Sequence, residues 1–316
     1  MLGWLTGDRL IAASDLRGKT VAITGCDSGF GFQTALSLAR LGMRVHAGCL
    51  TAEGARRLAA ENSSRGGGSL CTHVVDVTSD ESVAAFASAI ASKSDGLLFA
   101  AIANAGIACA GPVEMVPMHV HERIFDVNYF GVVRTLRACA PLLRKQARSD
   151  ATVVPRFITI SSISGSVAFP GFAAYSAAKH ACSAITLAAR IELSQFGIDV
   201  TAVEPYFART PILAVDIDQQ KKHFLASSED VQASYGEVKK EESLAKVTKL
   251  RASSMTMSPE FVVDNIVKCV MRETLRPKYT VGFFCHVLLF MQTWLPYWVL
   301  ESFLGKGAKT RVDKES

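Results

Sequence analysis

At 316 residues the chain could hold two average domains, but an open α/β sheet can gather about 250 residues around one core, so a single large domain is expected. Hydrophobic residues make up 49% and charged residues 20%, with a mean hydropathy of +0.23, which excludes a disordered or collagen-like chain. The 34 basic and 29 acidic side chains leave a net charge of +5 without an arginine-rich stripe, so nucleic acid is not an expected partner.

Residues 1–17 read as an N-terminal extension. Its apolar stretch from Met1 to Ala13 is interrupted by Asp8 and Arg9, is too short to span a bilayer and lacks the basic start of a secretory signal, so no cleavable address is expected. From Lys19 onward, short β-branched or apolar runs alternate with longer amphipathic ones, the pattern of repeated βαβ units building a parallel sheet. Strands are predicted at Thr20 to Thr24, Arg44 to Gly48, Thr72 to Val75, Leu97 to Ala103, Arg156 to Ser161 and Asp199 to Glu204, with Lys278 to Gly282 as a further one. Helices are predicted near Gly31 to Leu41, Ser79 to Lys93, Val120 to Arg144, Ala173 to Gln195 and Pro259 to Arg272, and Ser79 with Ser82 gives only a weak cap signal. Right-handed crossovers then place helices on both faces, giving an α/β, doubly wound, Rossmann-type domain over residues 18–282.

Residues 211–257 turn polar and rich in Lys, Glu and Ser without a strand-like run. They read as an insertion outside the sheet: a solvated helical surface, or a helical lid over a substrate bound beyond the carboxyl ends of the strands. Residues 283–316 form an apolar C-terminal segment that turns basic, with Pro296 and embedded polar groups arguing against a straight spanning helix. Trp294, Tyr297 and Trp298 around that proline, followed by Lys306, Lys309 and Arg311, suit peripheral contact with an anionic membrane surface. The alternatives are a segment folded over the domain's own core or a dimer partner, and a true spanning helix.

The eight cysteines are scattered singly, with no CxxC pair and no His/Cys spacing suited to zinc, so neither disulfides nor a metal site is expected. They read as small buried hydrophobes in a reducing compartment. The glycosylation sequon Asn62, Ser63, Ser64 reads as a loop.

Two constellations carry chemistry. The first predicted strand runs into Thr24, Gly25, Cys26, Asp27, Ser28, Gly29, Phe30, Gly31 and then a helix. Glycines there let a pyrophosphate approach the backbone, and the free N–H groups of the helix start bind it. Alone such a turn is a weak signal. The second is Tyr175 and Lys179, one helical turn apart, with Ser162 at the end of the strand reading FITISS. A free phenol titrates near pH ~10, and a neighbouring ammonium favours its phenolate, which would make a usable base.

In this order the motifs resemble the short-chain dehydrogenase/reductase family over Gly18 to Thr210, together with the last helix and strand. TGCDSGFG matches that family's cofactor turn, Asp76 with Val77 its acid after the third strand, and Asn104, Ala105 and Gly106 its NAG element. Asn128, Ser162, Tyr175 and Lys179 match the catalytic tetrad. The resemblance implies that Tyr175 exchanges a proton with the substrate oxygen as hydride moves, Ser162 bonds the same oxygen, Lys179 binds the nicotinamide ribose, and Asn128 holds a water linking Lys179 to solvent. Two departures stand out: NNAG begins with Ala103, and PGxxxT reads Pro205, Tyr206, Phe207, Ala208, Arg209, Thr210, so that Tyr206 either crowds the nicotinamide or points away. Pro205 and Thr210 are the cofactor contacts expected from that loop.

After the second strand stand Cys49, Leu50 and Thr51, neither the acid of NAD enzymes nor the base of NADP enzymes. Asp27 would repel a 2′-phosphate, so NAD is favoured over NADP, with Arg56 and Arg57 on the following helix as the counterargument. Around CDSGFG the sequence is similar to the branch holding retinol, 17β-hydroxysteroid and 3-hydroxybutyrate dehydrogenases. That implies a lipophilic alcohol such as a retinoid or hydroxysteroid, an endoplasmic reticulum or mitochondrial membrane location with a cytoplasmic alternative, and a homo-oligomer. The alternatives are a small hydroxy acid, with Arg209 or His180 as its carboxylate anchor, and a non-catalytic NAD-binding scaffold.

Overall fold

The computed structural model describes residues 9–150, 152–213, 217–235 and 256–304. Its centre is one seven-stranded, wholly parallel sheet in the order β3-β2-β1-β4-β5-β6-β7. The strands are β1 (Thr20–Thr24), β2 (Arg44–Cys49), β3 (Leu70–Val74), β4 (Ala100–Ala103), β5 (Arg156–Ile160), β6 (Asp199–Pro205) and β7 (Lys278–Val281). Strands β1, β4 and β5 are buried along their whole length, because helices cover both faces of the sheet.

The helices are α1 (Ala13–Leu16), α2 (Gly29–Arg40), α3 (Ala52–Ser64), α4 (Asp80–Lys93), α5 (Met118–Phe125), α6 (Gly131–Ser149), α7 (Ala173–Ser194), α8 (Ile217–Ala226), α9 (Pro259–Met271), α10 (Phe283–Trp294) and α11 (Tyr297–Leu304). One apolar layer joins Val21, Ile23 and Ile158 to Leu38 of α2 and Ile266 of α9. The other joins Ala22, Ala101 and Phe157 to Phe86 of α4, Leu143 of α6 and Cys182 of α7. Alternate residues of each strand thus feed opposite layers, as the two-residue period of a strand requires.

Two of the buried polar groups, Arg156 and His46, bear on the packing of this core. Arg156 is fully buried and donates to the carbonyls of Val154, Cys269, Val270 and Arg272, closing the end of α9, with its guanidinium 4.7 Å from the Phe99 ring centroid. His46 of β2 is 3.1 Å (Nδ1 to Nε2) from His73 of β3, with the rings stacked at 5.2 Å, and burial pushes its pKa down to about 4. The unfolded chain therefore binds a proton that the folded chain refuses. His46 contributes stability above its ordinary pKa near ~6.5 that is lost as pH falls toward about 4, up to about 3 kcal/mol. Urea midpoints for the His46→Gln variant should fall less between pH 7 and 5 than those of the parent; equal slopes would assign the acid sensitivity elsewhere.

One expectation is corrected here. Asn62 does not sit in a loop: α3 continues through Ser64, and the buried Asn62 amide donates to Gly68 O at 3.0 Å. A glycan has no access to it. Of the 211–257 insertion, residues 214–216 and 236–255 lie outside the described residues, as do 1–8 and 305–316.

Candidate active site

Because β1 is flanked by β2 on one side and β4 on the other, the chain leaves these strands in opposite directions and a crevice opens beyond their carboxyl ends. Gly25, with φ +70°, turns the chain out of β1, and Gly29, with φ +61°, starts α2. A Cβ on Gly25 would lie 2.6 Å from the Ala105 Cα, and one on Gly31 would lie 2.4 Å from Gly25 O and 2.5 Å from Asn104 Nδ2. Ser28 stands at the N-cap of α2 without a side-chain cap bond, so the first N–H groups of this helix remain open to an anion.

Around the turn the remaining sequence-predicted contacts converge. Asn104 Nδ2 donates to Thr24 O and Gly25 O, both at 2.9 Å, while Thr24 Oγ1 accepts from Asn104 N and Ala105 N. Asn104 is thus a fastener between the β1 and β4 loops. Thr210, buried after the Pro205 end of β6, faces Gly29: a Cβ there would have Thr210 as its nearest neighbour, at 3.9 Å. Asp76 accepts from Thr78 N and Thr78 Oγ1, and these bonds, the main-chain one foremost, hold its carboxyl below the usual range. Val77 is buried, its Cγ2 where a Cβ on Gly131 would come within 2.8 Å. Asp27 accepts from Leu50 N (2.6 Å), Thr51 N (3.0 Å) and Thr51 Oγ1 (2.8 Å), which fixes its carboxylate at the carboxyl end of β2.

The predicted tetrad residues lie on three elements. Lys179, only 3% exposed, donates to Ile160 O at 2.9 Å and has its Nζ 5.7 Å from the Tyr175 ring centroid. Ser162 follows β5, and its Oγ accepts from Ser164 N at 3.1 Å, leaving its own proton to donate. Asn128 sits in a π-turn, Asp126–Phe130, between α5 and α6. Its Oδ1 accepts from Ile107 N and its Nδ2 donates to Ile107 O, while its main-chain carbonyl accepts the Cys182 thiol at 2.8 Å. Both side-chain atoms of Asn128 are thus engaged by the loop after β4. Gly106 is where these groups meet, since a Cβ on it would lie 3.3 Å from Asn128 Oδ1 and 3.6 Å from Lys179 Nζ.

A cluster unread in the sequence braces this arrangement. Glu204 of β6 is fully buried and accepts from Ser183 of α7 and Ser166 of the loop after β5, both at 2.9 Å, with Lys278 of β7 at 3.4 Å. Ser183 Oγ in turn lies 3.0 Å from Ser161 Oγ, which donates to Lys179 O. The Ser162 loop is thereby tied to the helix that carries Tyr175 and Lys179. A lone carboxylate in the apolar run TAVEP is the signal that could have revealed it.

Tyr206 turns away from the crevice. It is 9% exposed, its ring packs against Phe207 and Phe284, and it belongs to a cluster with Ile163, Val167, Cys285, Leu288 and Leu300. The substitution of glycine by tyrosine thus docks α10 and α11 on the loop that ends β6. The described part of the predicted lid folds over the loop after β4: Cys109 Sγ is 3.8 Å from His223 Nδ1, and Tyr235 donates to Glu114 at 2.9 Å.

A profile of the short chain dehydrogenase family matches residues 19–221. The chain belongs to that family. It is an oxidoreductase of this family, working with a nicotinamide cofactor, and the glycine cradle, the open start of α2 and the converging Asn104 and Thr210 fit such a group. Over 212 residues the chain is 38% identical to 17-beta-hydroxysteroid dehydrogenase type 6 of Bos taurus, which covers 66% of this chain and 62% of that protein. Over 303 residues it is 32% identical to retinol dehydrogenase 16 of Homo sapiens, covering 92% and 89%. A 3-ketoacyl-(acyl-carrier-protein) reductase from Brucella melitensis, solved with NADH, superposes with a TM-score of 0.66 at 22% identity, covering 85% of this chain and 97% of that one. The last likeness is one of fold.

Proposed function

We propose that the chain interconverts a lipophilic alcohol, of retinoid or hydroxysteroid type, with its carbonyl, using NAD. The observation that carries this reading is the buried Lys179 ammonium beside the Tyr175 ring, at the end of the crevice that begins with the glycine turn. Gly25, Asp27, Ser28, Gly29, Phe30, Gly31, Asp76, Val77, Asn104, Ala105, Gly106, Pro205 and Thr210 would hold the dinucleotide, with Tyr175 and Lys179 at its nicotinamide end. The nicotinamide, when bound, supplies the hydride acceptor or donor.

The chain's own residues do the rest. Tyr175 gives or takes the proton at the substrate oxygen, and the nearby ammonium of Lys179 stabilises the phenolate left behind. Ser162 donates its free proton to the same oxygen as charge develops there. The names of the relatives, retinol and 17-beta-hydroxysteroid dehydrogenases, support a lipophilic substrate. Neither candidate anchor for a small hydroxy acid is built for the task, since Arg209 and His180 are both exposed and His180 Nδ1 is engaged by Ser176 O at 2.8 Å. An endoplasmic reticulum or mitochondrial membrane is the setting this substrate class favours.

For the coenzyme, the Asp27 carboxylate sits where the second strand ends, the place at which this fold discriminates a ribose hydroxyl from a 2′-phosphate. Arg57 is turned onto Asp27 O and lies 5.6 Å over the Phe32 ring. Retinol, a hydroxysteroid and 3-hydroxybutyrate, each offered with NAD and with NADP, test both halves. Turnover of one of the lipophilic alcohols with NAD is expected; a preference for NADP removes the coenzyme assignment, and oxidation of 3-hydroxybutyrate alone removes the substrate class.

A further inference from the structure

Helices α10 and α11 have two unlike faces. Cys285, Leu288 and Leu300 are buried against Tyr206, Ile163 and Val167, so the pair is firmly docked. On the other face Phe283, Phe290, Trp294, Tyr297, Trp298 and Phe303 are between 56% and 76% exposed. Six large aromatic side chains exposed within 22 residues is a density that soluble surfaces avoid. Among the described residues no helix is long and apolar enough to cross a membrane, and Pro296 breaks this segment into pieces of 12 and 8 residues.

We propose that this face rests on the surface of an anionic phospholipid bilayer, with α10 and α11 lying in the interface. Three observations select lipid over a second copy or another protein. Trp294, Tyr297 and Trp298 crowd the corner between the helices, and these amphipathic rings favour the headgroup level. From Phe283 to Leu304 the sequence holds a single carboxylate, Glu301, and no Lys or Arg, so the helices offer a protein partner one ion pair at most. Directly after them come Lys306, Lys309, Arg311 and Lys314 against Asp313 and Glu315, a net positive charge suited to anionic headgroups.

The patch also reaches inward. Ring centroids run from Phe283 to Phe284 (5.8 Å), to Tyr206 (5.7 Å), to Phe207 (5.0 Å) and to Phe169 (5.2 Å), mostly edge to face, so one run of ring contacts joins the exposed face to the loop after β6. Building on the function proposed above, a bilayer under α10 and α11 would hold lipid-dissolved alcohols close to the loops that follow β5 and β6. Tyr206, which departs from the family glycine, joins the membrane face to those loops.

The test is flotation of the purified full chain with vesicles of phosphatidylcholine alone and of phosphatidylcholine mixed with phosphatidylserine. Binding is expected to be tighter on the mixed vesicles and weakened by salt on those only. Trp294→Ser together with Trp298→Ser should lower partitioning by at least ~10-fold per ring removed, and Phe283→Ser with Phe290→Ser should do the same. All four side chains are exposed, so unchanged thermal unfolding is expected of both variants. Parent-like partitioning in both variants, or a lipid-free dimer that the variants dissociate while vesicles capture nothing, overturns the proposal. Turnover of a water-soluble secondary alcohol in lipid-free buffer is measured alongside: parent and variants should match, and a parent that binds vesicles but turns over no alcohol faults the enzymatic reading instead.

Discussion

Replacing Tyr175 by Phe is expected to lower turnover by roughly 10³-fold, the scale of a lost general acid–base group, while coenzyme affinity changes by less than about 3-fold. The substitution keeps the ring that lies against the Lys179 ammonium and removes only the hydroxyl. Lys179 retains its bond to Ile160 O, and the Glu204 cluster still holds α7 against the Ser162 loop. Steady-state rates with calorimetric titration of NAD separate the two effects. Parent-like turnover would strip Tyr175 of the role given to it; loss of coenzyme binding as well would mean that the hydroxyl serves chiefly to hold the dinucleotide.

Gly31→Ala is expected to weaken NAD binding by ~100-fold or more. Its new methyl would come within 2.4 Å of Gly25 O and 2.5 Å of Asn104 Nδ2, two atoms already bonded to each other. Neither can yield independently, so the start of α2 must move away from the turn and the N–H groups it presents lose their aim. Gly66→Ala is the control. Gly66 has φ +62° with nothing within 4 Å, so an added methyl brings backbone strain of about 1–2 kcal/mol and no collision. Urea unfolding should therefore register Gly66→Ala, while calorimetry should register only Gly31→Ala; equal NAD affinities for the parent and Gly31→Ala would move the phosphate site off this helix.

Much of this fold is written in local runs of residues. β1 runs from Thr20 to Thr24 as its β-branched pattern predicts, and the other strands lie at the predicted places with ends shifted by up to three residues. β4 illustrates the shift: Leu98 and Phe99 are as apolar and buried as Ile102, but the strand begins only at Ala100, so the apolar run overstates it. The single helix expected over Val120 to Arg144 is interrupted by the π-turn at Asp126–Phe130, which the sequence pattern hides because one extra residue in a turn leaves the hydrophobic period nearly intact. Motif order likewise brought the glycine turn, Asn104, Ser162, Tyr175 and Lys179 to one end of the sheet. What it could not supply were partners distant in sequence: Ile107 for Asn128, Thr24 for the NAG loop, and the docking of Tyr206 against helices that begin some 77 residues later. Such pairings are decided by where strands lie in the sheet, which no window of neighbouring residues contains.

The carboxylate of Glu204 has an evolutionary corollary. Its oxygens count on donors from Ser166, Ser183 and Lys278, and Gly165 must lack a side chain because a methyl there would fall 2.5 Å from Ser183 Oγ and 2.6 Å from Ser161 Oγ. A lineage that lost one of these donors would strand an acid in a dry interior, and one that lost the acid would strand the hydroxyls. These positions are bound to drift as a set, so that descendants of this chain should either keep the whole group or exchange it for an apolar one in few steps.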